Sequence, residues 1–246
     1  MAAPEPRPPA TPRPRRWRLV GISGASGGGK TTLARRLLSA LPTTAAYLSQ
    51  DQYILPDAHP AHPPAPPPLP GLNKDTLRSV DVARMEADVR RFLAAEAPAF
   101  EPEDAPFLAE RRAFVGSALA VPNPFVGRRR EAVGLPPVLI LEGFLLFGHG
   151  FLATACDLRF FLTLTKEQCR ARRGRRGFST SAMGSGEYFE ACVWPAYESY
   201  LKEVAADVKG VQFLDGAAPP DALFQEVFES VMELLQSPEE AEEGNA

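Results

Sequence analysis

The sequence has little cysteine, no long apolar run and no excess of basic charge. Its three cysteines, Cys156, Cys169 and Cys192, form no C-x-x-C pair, which argues against a disulfide framework or a zinc site and favours a reducing compartment. No apolar stretch approaches the ~20 residues needed to cross a bilayer. The net charge of -3 gives no global basic field for nucleic acid. We therefore expect a cytoplasmic protein with no membrane or nucleic-acid partner, although the arginines near the N-terminus leave a transit peptide open.

Proline, in contrast, is abundant, with 26 residues that are unevenly distributed. Proline-rich segments resist packing and are typical of linkers or mobile loops. A length of 246 residues suits one α/β domain with insertions and is short for two domains. We predict a disordered arm at 1–16, one domain over 17–236 with a proline-rich loop at 55–70 and an irregular insertion at 96–137, and a disordered acidic tail at 237–246.

Five short apolar runs alternate with segments of helical periodicity. This order predicts a three-layer α/β sandwich, in which a five-stranded parallel sheet carries helices on both faces. Asp81 and Thr165 precede helical runs and are expected to be N-caps. The predicted strands are 18–23, 45–49, 138–141, 158–164 and 211–214, and the predicted helices are 30–41, 82–94, 166–175, 188–206 and 221–235.

The most informative motif is G-A-S-G-G-G-K-T at residues 24–31, a full match to G-x-x-x-x-G-K-[ST]. It follows an apolar strand and opens a helix, so backbone N–H groups and the helix N-terminus would face a phosphate chain. Lys30 would reach the β- and γ-phosphates, and the Thr31 hydroxyl would ligate Mg²⁺. This context predicts a nucleoside triphosphate site rather than a chance glycine-rich turn. The predicted ATP-binding residues of this loop are Gly24, Ala25, Ser26, Gly27, Gly28, Gly29, Lys30, Thr31 and Thr32.

Two acidic residues stand at the ends of predicted strands, where ligands bind in open parallel sheets. Asp51 follows the second strand, and a carboxylate there can accept the proton of an attacking hydroxyl or hold a metal-bound water. The alternative for Asp51 is an ordinary turn-capping role. Glu142 ends the third strand and suits a metal-supporting role, with an exposed strand-end charge as its alternative. Either acid could be the catalytic base.

A cluster of arginines lies on or just after the predicted helix 166–175 and precedes a segment rich in Ser and Gly. We favour a lid that closes over phosphates, although a solvated basic face or an RNA-binding patch has the same composition. The arginines are Arg170, Arg172, Arg173, Arg175 and Arg176.

The guanine-reading motif of GTPases is incomplete in this chain. Asn73, Lys74 and Asp75 begin like N-K-x-D, but residue 76 is Thr and no buried strand precedes the triplet. This difference argues against a GTPase.

Taken together, these segments resemble the nicotinamide riboside kinases, within the uridine kinase-like group of P-loop kinases. The resemblance covers nearly all of the chain except the two tails and the two proline-rich insertions. The matching segments are G-I-S-G-A-S-G-G-G-K-T-T-L-A at 21–34, L-S-Q-D at 48–51, L-I-L-E-G-F-L-L-F at 139–147, F-F-L-T-L-T-K-E-Q-C-R-A-R-R at 160–173, Y-F-E-A-C-V-W-P-A-Y at 188–197 and F-L-D-G at 213–216.

The resemblance implies transfer of the γ-phosphoryl group of ATP, with Mg²⁺, to the 5′-hydroxyl of nicotinamide riboside or nicotinic acid riboside in NAD salvage. It implies that Asp51 is the general base near Mg²⁺, with Lys30 and Glu142 supporting catalysis and Thr31 ligating the metal. Arg172, Arg176 and Ala218 would contact ATP, the last in a loop beside the adenine. The implied substrate contacts are Asp51, Gln52, Tyr53, Ile54, Lys74, Asp75, Arg173 and Phe178, of which Asp75 would bind the ribose hydroxyls.

The chain departs from this family pattern on the side that recognises the base. Lys74 stands where an aromatic residue precedes the ribose-binding acid, and Phe178 replaces a tyrosine of the lid. Gln52 and Ile54 replace an acid and an aromatic residue after the second strand, and the lid acid is absent unless Glu187 substitutes. A lysine would repel the cationic nicotinamide ring and could favour the nicotinic acid form. Uridine or cytidine as substrate, and an ATP-binding regulatory protein without turnover, are the alternatives.

Overall fold

The computed structural model describes residues 16–102, 124–130, 134–174 and 185–237. Most of the predicted N-terminal arm, much of the irregular insertion, nearly all of the acidic tail and the lid residues Arg176 and Phe178 lie outside these ranges. No helix in the described ranges is long and apolar enough to span a membrane.

The described residues form a three-layer α/β sandwich around a mixed sheet of seven strands in the order β3-β4-β2-β5-β1-β6-β7. The strands are β1 (Arg18–Gly24), β2 (Ala45–Ser49), β3 (Glu101–Pro102), β4 (Val126–Arg128), β5 (Val138–Glu142), β6 (Leu158–Thr163) and β7 (Val211–Asp215). The helices are α1 (Lys30–Ala40), α2 (Val82–Ala94), α3 (Gly150–Ala155), α4 (Lys166–Gly174), α5 (Gly186–Tyr188), α6 (Trp194–Asp207) and α7 (Pro220–Gln236), and a π-helical turn, Phe189–Val193, joins α5 to α6.

The five predicted strands are confirmed, but the prediction of only five was wrong. The additional strands β3 and β4 come from the segment expected to be irregular, and β4 pairs antiparallel with β2. Phe125 and Val126 are buried, and the Phe125 ring stacks on Phe92 of α2 at 4.2 Å between centroids. Pairing and burial therefore stabilise a strand of three residues that is too short to show a periodic pattern.

Each face of the sheet packs against its own apolar core. Along β5, Leu139 and Leu141 join the core beneath α2, α3 and α6, while Val138 and Ile140 join the core beneath α1 and α7. This alternation follows from the period of two in a strand, and each such side chain contributes roughly 1.5–3 kcal/mol by leaving water. The central strands are thereby held rigidly, and so are the residues at their carboxyl ends.

The register of the central strands brings the predicted site residues together. Glu142 at the end of β5 aligns with Ile22 of β1 and with Ser49 of β2. The phosphate loop follows β1, and Asp51 follows β2. The predicted N-caps are also confirmed, because Asp81 and Thr165 accept hydrogen bonds from the backbone N–H groups of Arg84 and Gln168.

The proline-rich segment is packed on the domain and is not a mobile linker. An isolated bridge joins Pro64 to Leu72, the Ala65 N–H donates to the Gly71 carbonyl at 2.9 Å, and Ala65 is buried. Proline has no N–H, so the few other residues of the segment supply the donors that close it. The composition gave no sign of these contacts.

Candidate active site

The phosphate loop has a backbone that only glycine allows at its start. Gly24 adopts a φ of +120°, and a Cβ atom there would lie 2.2 Å from the carbonyl oxygen of Leu162. Gly27 and Gly29 also have positive φ, and Gly29 is the N-cap residue of α1. No side chain caps α1, so its first N–H groups face the loop in the manner of an anion-binding helix N-terminus.

Lys30 spans this loop. Its Nζ atom donates to the carbonyl oxygens of Gly24 and Ala25 at 3.1 and 3.0 Å. The ammonium group therefore lies over the backbone that would surround a phosphate, as the motif predicts.

Glu142 is buried, with 2% of its surface exposed, so it is not an exposed strand-end charge. Its Oε1 atom accepts from the hydroxyls of Ser49, Tyr47 and Thr31 at 2.7, 3.0 and 3.3 Å. A buried carboxylate is tolerated when such donors replace its water. Burial, and then the charge of Glu142, raise the pKa of Tyr47 well above its ordinary value, so the phenol remains a donor.

Asp51 stands beside this network in a 3₁₀ turn that follows β2. Its side chain is exposed, while its backbone N–H donates to the Ser49 hydroxyl oxygen at 3.3 Å. Ser49 thus connects the segment of Asp51 to the carboxylate of Glu142.

The side chains at this edge suit Mg²⁺ chemically. Thr31, Glu142 and Asp51 offer only oxygen atoms, the ligands that this hard cation prefers. Within the described ranges, no three His, Cys, Asp or Glu side chains cluster into a dedicated metal site. Such a sparse set is typical of Mg²⁺ that is held by one or two protein groups, water and substrate phosphates.

Asp75 lies on the other side of the phosphate loop, in a turn that Tyr188 holds. The Tyr188 hydroxyl donates to Asp75 Oδ2 at 3.0 Å and accepts from the Lys74 N–H at 3.0 Å. The Asp75 N–H in turn donates to Asn73 Oδ1 at 3.1 Å. Burial raises the pKa of Asp75, whereas the charge of Arg173 and the Tyr188 hydrogen bond lower it. The two partners therefore help to keep this carboxyl group ionised.

The sequence pattern predicted Tyr188 only as the start of a helix and did not predict its contact with Asp75. The side chain is 2% exposed, and burial, followed by the charge of Asp75, raises the pKa of its hydroxyl. The π-helical turn that begins at the next residue is a feature that often marks functional sites. Helical periodicity carries no information about such a turn.

Two of the predicted lid arginines pack directly on the phosphate loop. From α4, Arg172 Nη1 donates to the carbonyl oxygens of Gly216 at 2.8 Å and Gly27 at 3.2 Å, and Arg173 Nη1 donates to Ser26 Oγ at 3.1 Å. These contacts distinguish both residues from a solvated basic face. Arg170 instead pairs with Glu190 at 3.4 Å.

A groove of about 340 Å³ opens beside the phosphate loop and α1. Ala218, predicted beside the adenine, lies in its wall together with Arg172 and Gly216. Gly216 packs closely against the phosphate loop, because a Cβ atom there would lie 3.1 Å from the carbonyl oxygen of Gly28. The groove thus borders on the residues that would bind a triphosphate.

The other residues predicted to contact the substrate lie against neighbouring parts of the protein. The Tyr53 hydroxyl donates to Asp88 of α2 at 2.9 Å, and Ile54 forms a bridge with Val80, so these two residues anchor the turn after β2. Gln52 is half-buried beside them. The Lys74 ammonium forms a salt bridge with Asp57 of the proline-rich segment.

No protein-family model matches the chain. Among solved structures, a proposed fructose transport system kinase from Silicibacter sp. TM1040 matches with a TM-score of 0.50 and 18% identity, over 79% of this chain and 88% of that chain. This likeness shows a shared fold.

The phosphate loop, the buried strand-end acid and the arginine-bearing helix packed on the loop define a P-loop kinase. The chain is 30% identical to nicotinamide riboside kinase 2 of Mus musculus, over 88% of this chain and 96% of that protein. It is 28% identical to nicotinamide riboside kinase 1 of Homo sapiens, over 88% and 93%. The chain belongs to the nicotinamide riboside kinase family.

Replacing Tyr188 with Phe removes one hydroxyl and leaves the packed ring. Because a hydrogen bond to a charged group contributes roughly 1.5–3 kcal/mol, we expect the KM for the nucleoside to rise about tenfold or more and the KM for ATP to change less than about twofold. The Tyr188 hydrogen bond lowers the pKa of Asp75, so its loss raises that pKa. As the pH is lowered, the variant should therefore lose activity at a higher pH than the wild type does. Steady-state kinetics against pH measure both effects.

Tyr197→Phe is the matched control, since its hydroxyl accepts from the Leu164 N–H at 3.4 Å, away from Asp75. An equal rise in both KM values for Tyr188→Phe, with no shift of the acidic limb, would contradict this role.

Proposed function

We propose that the protein transfers the γ-phosphoryl group of ATP to the 5′-hydroxyl of nicotinamide riboside or nicotinic acid riboside, which yields the mononucleotide in NAD salvage. The observation that carries this proposal is the position of Arg173. Its guanidinium donates to Ser26 of the phosphate loop at 3.1 Å and is the charge that most lowers the pKa of Asp75. An acid suited to vicinal hydroxyls is therefore coupled to the loop suited to a triphosphate.

Phosphoryl transfer requires mainly positioning and charge neutralisation. Lys30 and Arg172 supply positive charge at the phosphate loop. Asp51, exposed at the end of β2, accepts the proton of the 5′-hydroxyl. Glu142 is less suited as the base because three hydroxyls already donate to its Oε1 atom. Thr31 and Asp51 would hold Mg²⁺, which would supply further charge neutralisation at the phosphates.

We propose ATP as the donor, with its base in the groove beside the phosphate loop. Its walls combine the backbone of Gly27 and Gly216 with the small side chain of Ala218 and the aliphatic side chain of Leu223. Such a wall offers van der Waals contact at the end of the loop where the nucleoside part of the donor would lie.

The salt bridge between Lys74 and Asp57 bears on the choice of riboside. The Lys74 side chain is 10% exposed and the Asp57 side chain is 71% exposed, so Asp57 pairs with the buried lysine from the solvent side. The pair has no net charge. The repulsion expected between an isolated lysine and a cationic nicotinamide ring is therefore largely removed, and Lys74 gives no reason to prefer the acid form.

The function is tested by measuring ADP release from ATP and Mg²⁺ with nicotinamide riboside, nicotinic acid riboside, uridine and cytidine side by side. Turnover on a pyridine riboside supports the proposal. Turnover on pyrimidine nucleosides alone would assign the same site to another nucleoside kinase. ATP binding with no turnover on any of the four would favour a regulatory protein.

Asp51→Asn keeps the size of the side chain and removes its basicity. We expect kcat to fall about 10²-fold or more, while the affinity for ATP measured by calorimetry without Mg²⁺ stays within about twofold. Glu142→Gln is the comparison, because it also replaces a carboxylate of this edge by an amide. A near-normal kcat for Asp51→Asn combined with a large loss for Glu142→Gln would transfer the role of base to Glu142.

Asp57→Asn leaves the Lys74 ammonium without its partner. We expect the KM for the cationic nicotinamide riboside to rise about three- to fivefold relative to that for nicotinic acid riboside, since a partly exposed charge interaction contributes up to ~1 kcal/mol. Asp57→Glu keeps the charge and should restore the ratio, and Lys74→Tyr should lower the KM for nicotinamide riboside. An unchanged ratio of the two KM values in all three variants would remove Lys74 and Asp57 from base selection.

A further inference from the structure

The proline-rich segment, residues 55–72, lies outside the stretches that resemble the family, yet it is attached to the turn that carries Asp75. The Asn73 N–H donates to the Pro63 carbonyl at 2.8 Å, and the Leu55 N–H donates to the Ser79 carbonyl at 2.9 Å. The first residue and the middle of the segment are therefore hydrogen-bonded to residues that flank Asp75.

His62 is the buried polar side chain at the centre of this attachment, with 6% of its surface exposed. Its Nε2 atom lies 3.0 Å from each of the carbonyl oxygens of Leu55 and Pro56. Carbonyl oxygens only accept hydrogen bonds, so Nε2 carries a proton and donates. Its Nδ1 atom lies 2.9 Å from the Ser79 hydroxyl, so both ring nitrogens have partners.

Ser79 carries the connection from His62 to the substrate turn. It is fully buried, and its hydroxyl lies 2.9 Å from His62 Nδ1, 3.0 Å from the Asn73 carbonyl oxygen and 3.2 Å from the Thr76 hydroxyl, with one proton to donate among these partners. Asn73 in turn accepts from the Asp75 N–H through its side chain. A continuous series of hydrogen-bonding groups thus runs from the proline-rich segment to the backbone of Asp75.

We propose that His62 is a positioning residue for the nucleoside site, which fixes the turn 73–79 and thereby the direction of the Asp75 carboxylate. This inference rests on the proposed function, in which Asp75 binds the ribose hydroxyls. Tyr188 holds the carboxylate itself, and His62 holds the backbone beneath it. Two opposed supports of this kind limit the rotation of a side chain that must accept two hydrogen bonds in defined directions.

The same segment contains its own control. His59 is exposed, and its Nδ1 atom accepts only from the Ala61 N–H at 3.2 Å among the hydrogen bonds found in the described part of the chain. A substitution at residue 59 therefore changes an imidazole of the proline-rich segment without touching Ser79 or Asn73.

The experiment compares His62→Leu, His62→Gln and His59→Leu in the full chain. For His62→Leu we expect the KM for the riboside to rise about tenfold, since one or two hydrogen bonds to buried partners are lost, with the KM for ATP within about twofold. Amide hydrogen exchange should accelerate at residues 73–79. His62→Gln keeps a donor and an acceptor and should restore the KM to within about threefold of the wild type, and His59→Leu should change neither measurement.

If His62→Leu does not fold, Ser79→Ala cuts the series of hydrogen bonds while His62 keeps its two carbonyl partners, and the same selective rise in KM is expected. Equal changes in both KM values, no rescue by His62→Gln, or an unaltered Ser79→Ala enzyme would overturn the proposal. Failure of the wild type to phosphorylate any riboside would refute the proposed function instead. In that case, amide hydrogen exchange at residues 73–75 in the same variants tests the role of His62 without a turnover assay.

Discussion

The burial of one carboxylate, that of Glu142, is the constraint on which the active site depends. Moving a carboxylate from water into the protein costs several kcal/mol unless donors replace the lost water. Here the donors come from β2 and from α1, the helix that follows the phosphate loop. The strands must therefore keep the register that aligns Glu142 with Ser49 and Ile22, and the helix must start where Thr31 can reach the acid.

From this anchored edge, charges of opposite sign alternate across the site. The Asp51 carboxylate follows β2, Lys30 crosses the phosphate loop, Arg173 contacts the loop from α4, and Asp75 is the acid whose pKa Arg173 lowers. Arg173 thus relates the phosphate loop to the Asp75 carboxylate. Together with Lys30, it supplies positive charge beside the loop, which is what phosphoryl transfer requires of a protein.

Local patterns predicted the parts of this arrangement that local chemistry determines. The bounds of β2 and α2, the N-cap at Asp81 and the phosphate loop all follow from spacing within a few residues. The strand β4 could not be predicted, because its three residues form a strand only against β2. The role of Tyr188 was missed for a similar reason: 113 residues separate it from the carboxylate it binds.

The proline-rich segment shows how chain without a counterpart in the family resemblance can still shape the site. Its composition disfavours regular structure, since eight of its 18 residues (55–72) are prolines, which lack a backbone donor. Its remaining polar side chains therefore make the contacts with the rest of the domain. Two of them reach the turn 73–79, because Asp57 pairs with Lys74 and His62 contacts Ser79. If Asp75 binds the nucleoside as proposed, this segment would influence which nucleoside is held, because its contacts within the described part of the chain reach the turn of Asp75 and not the phosphate loop.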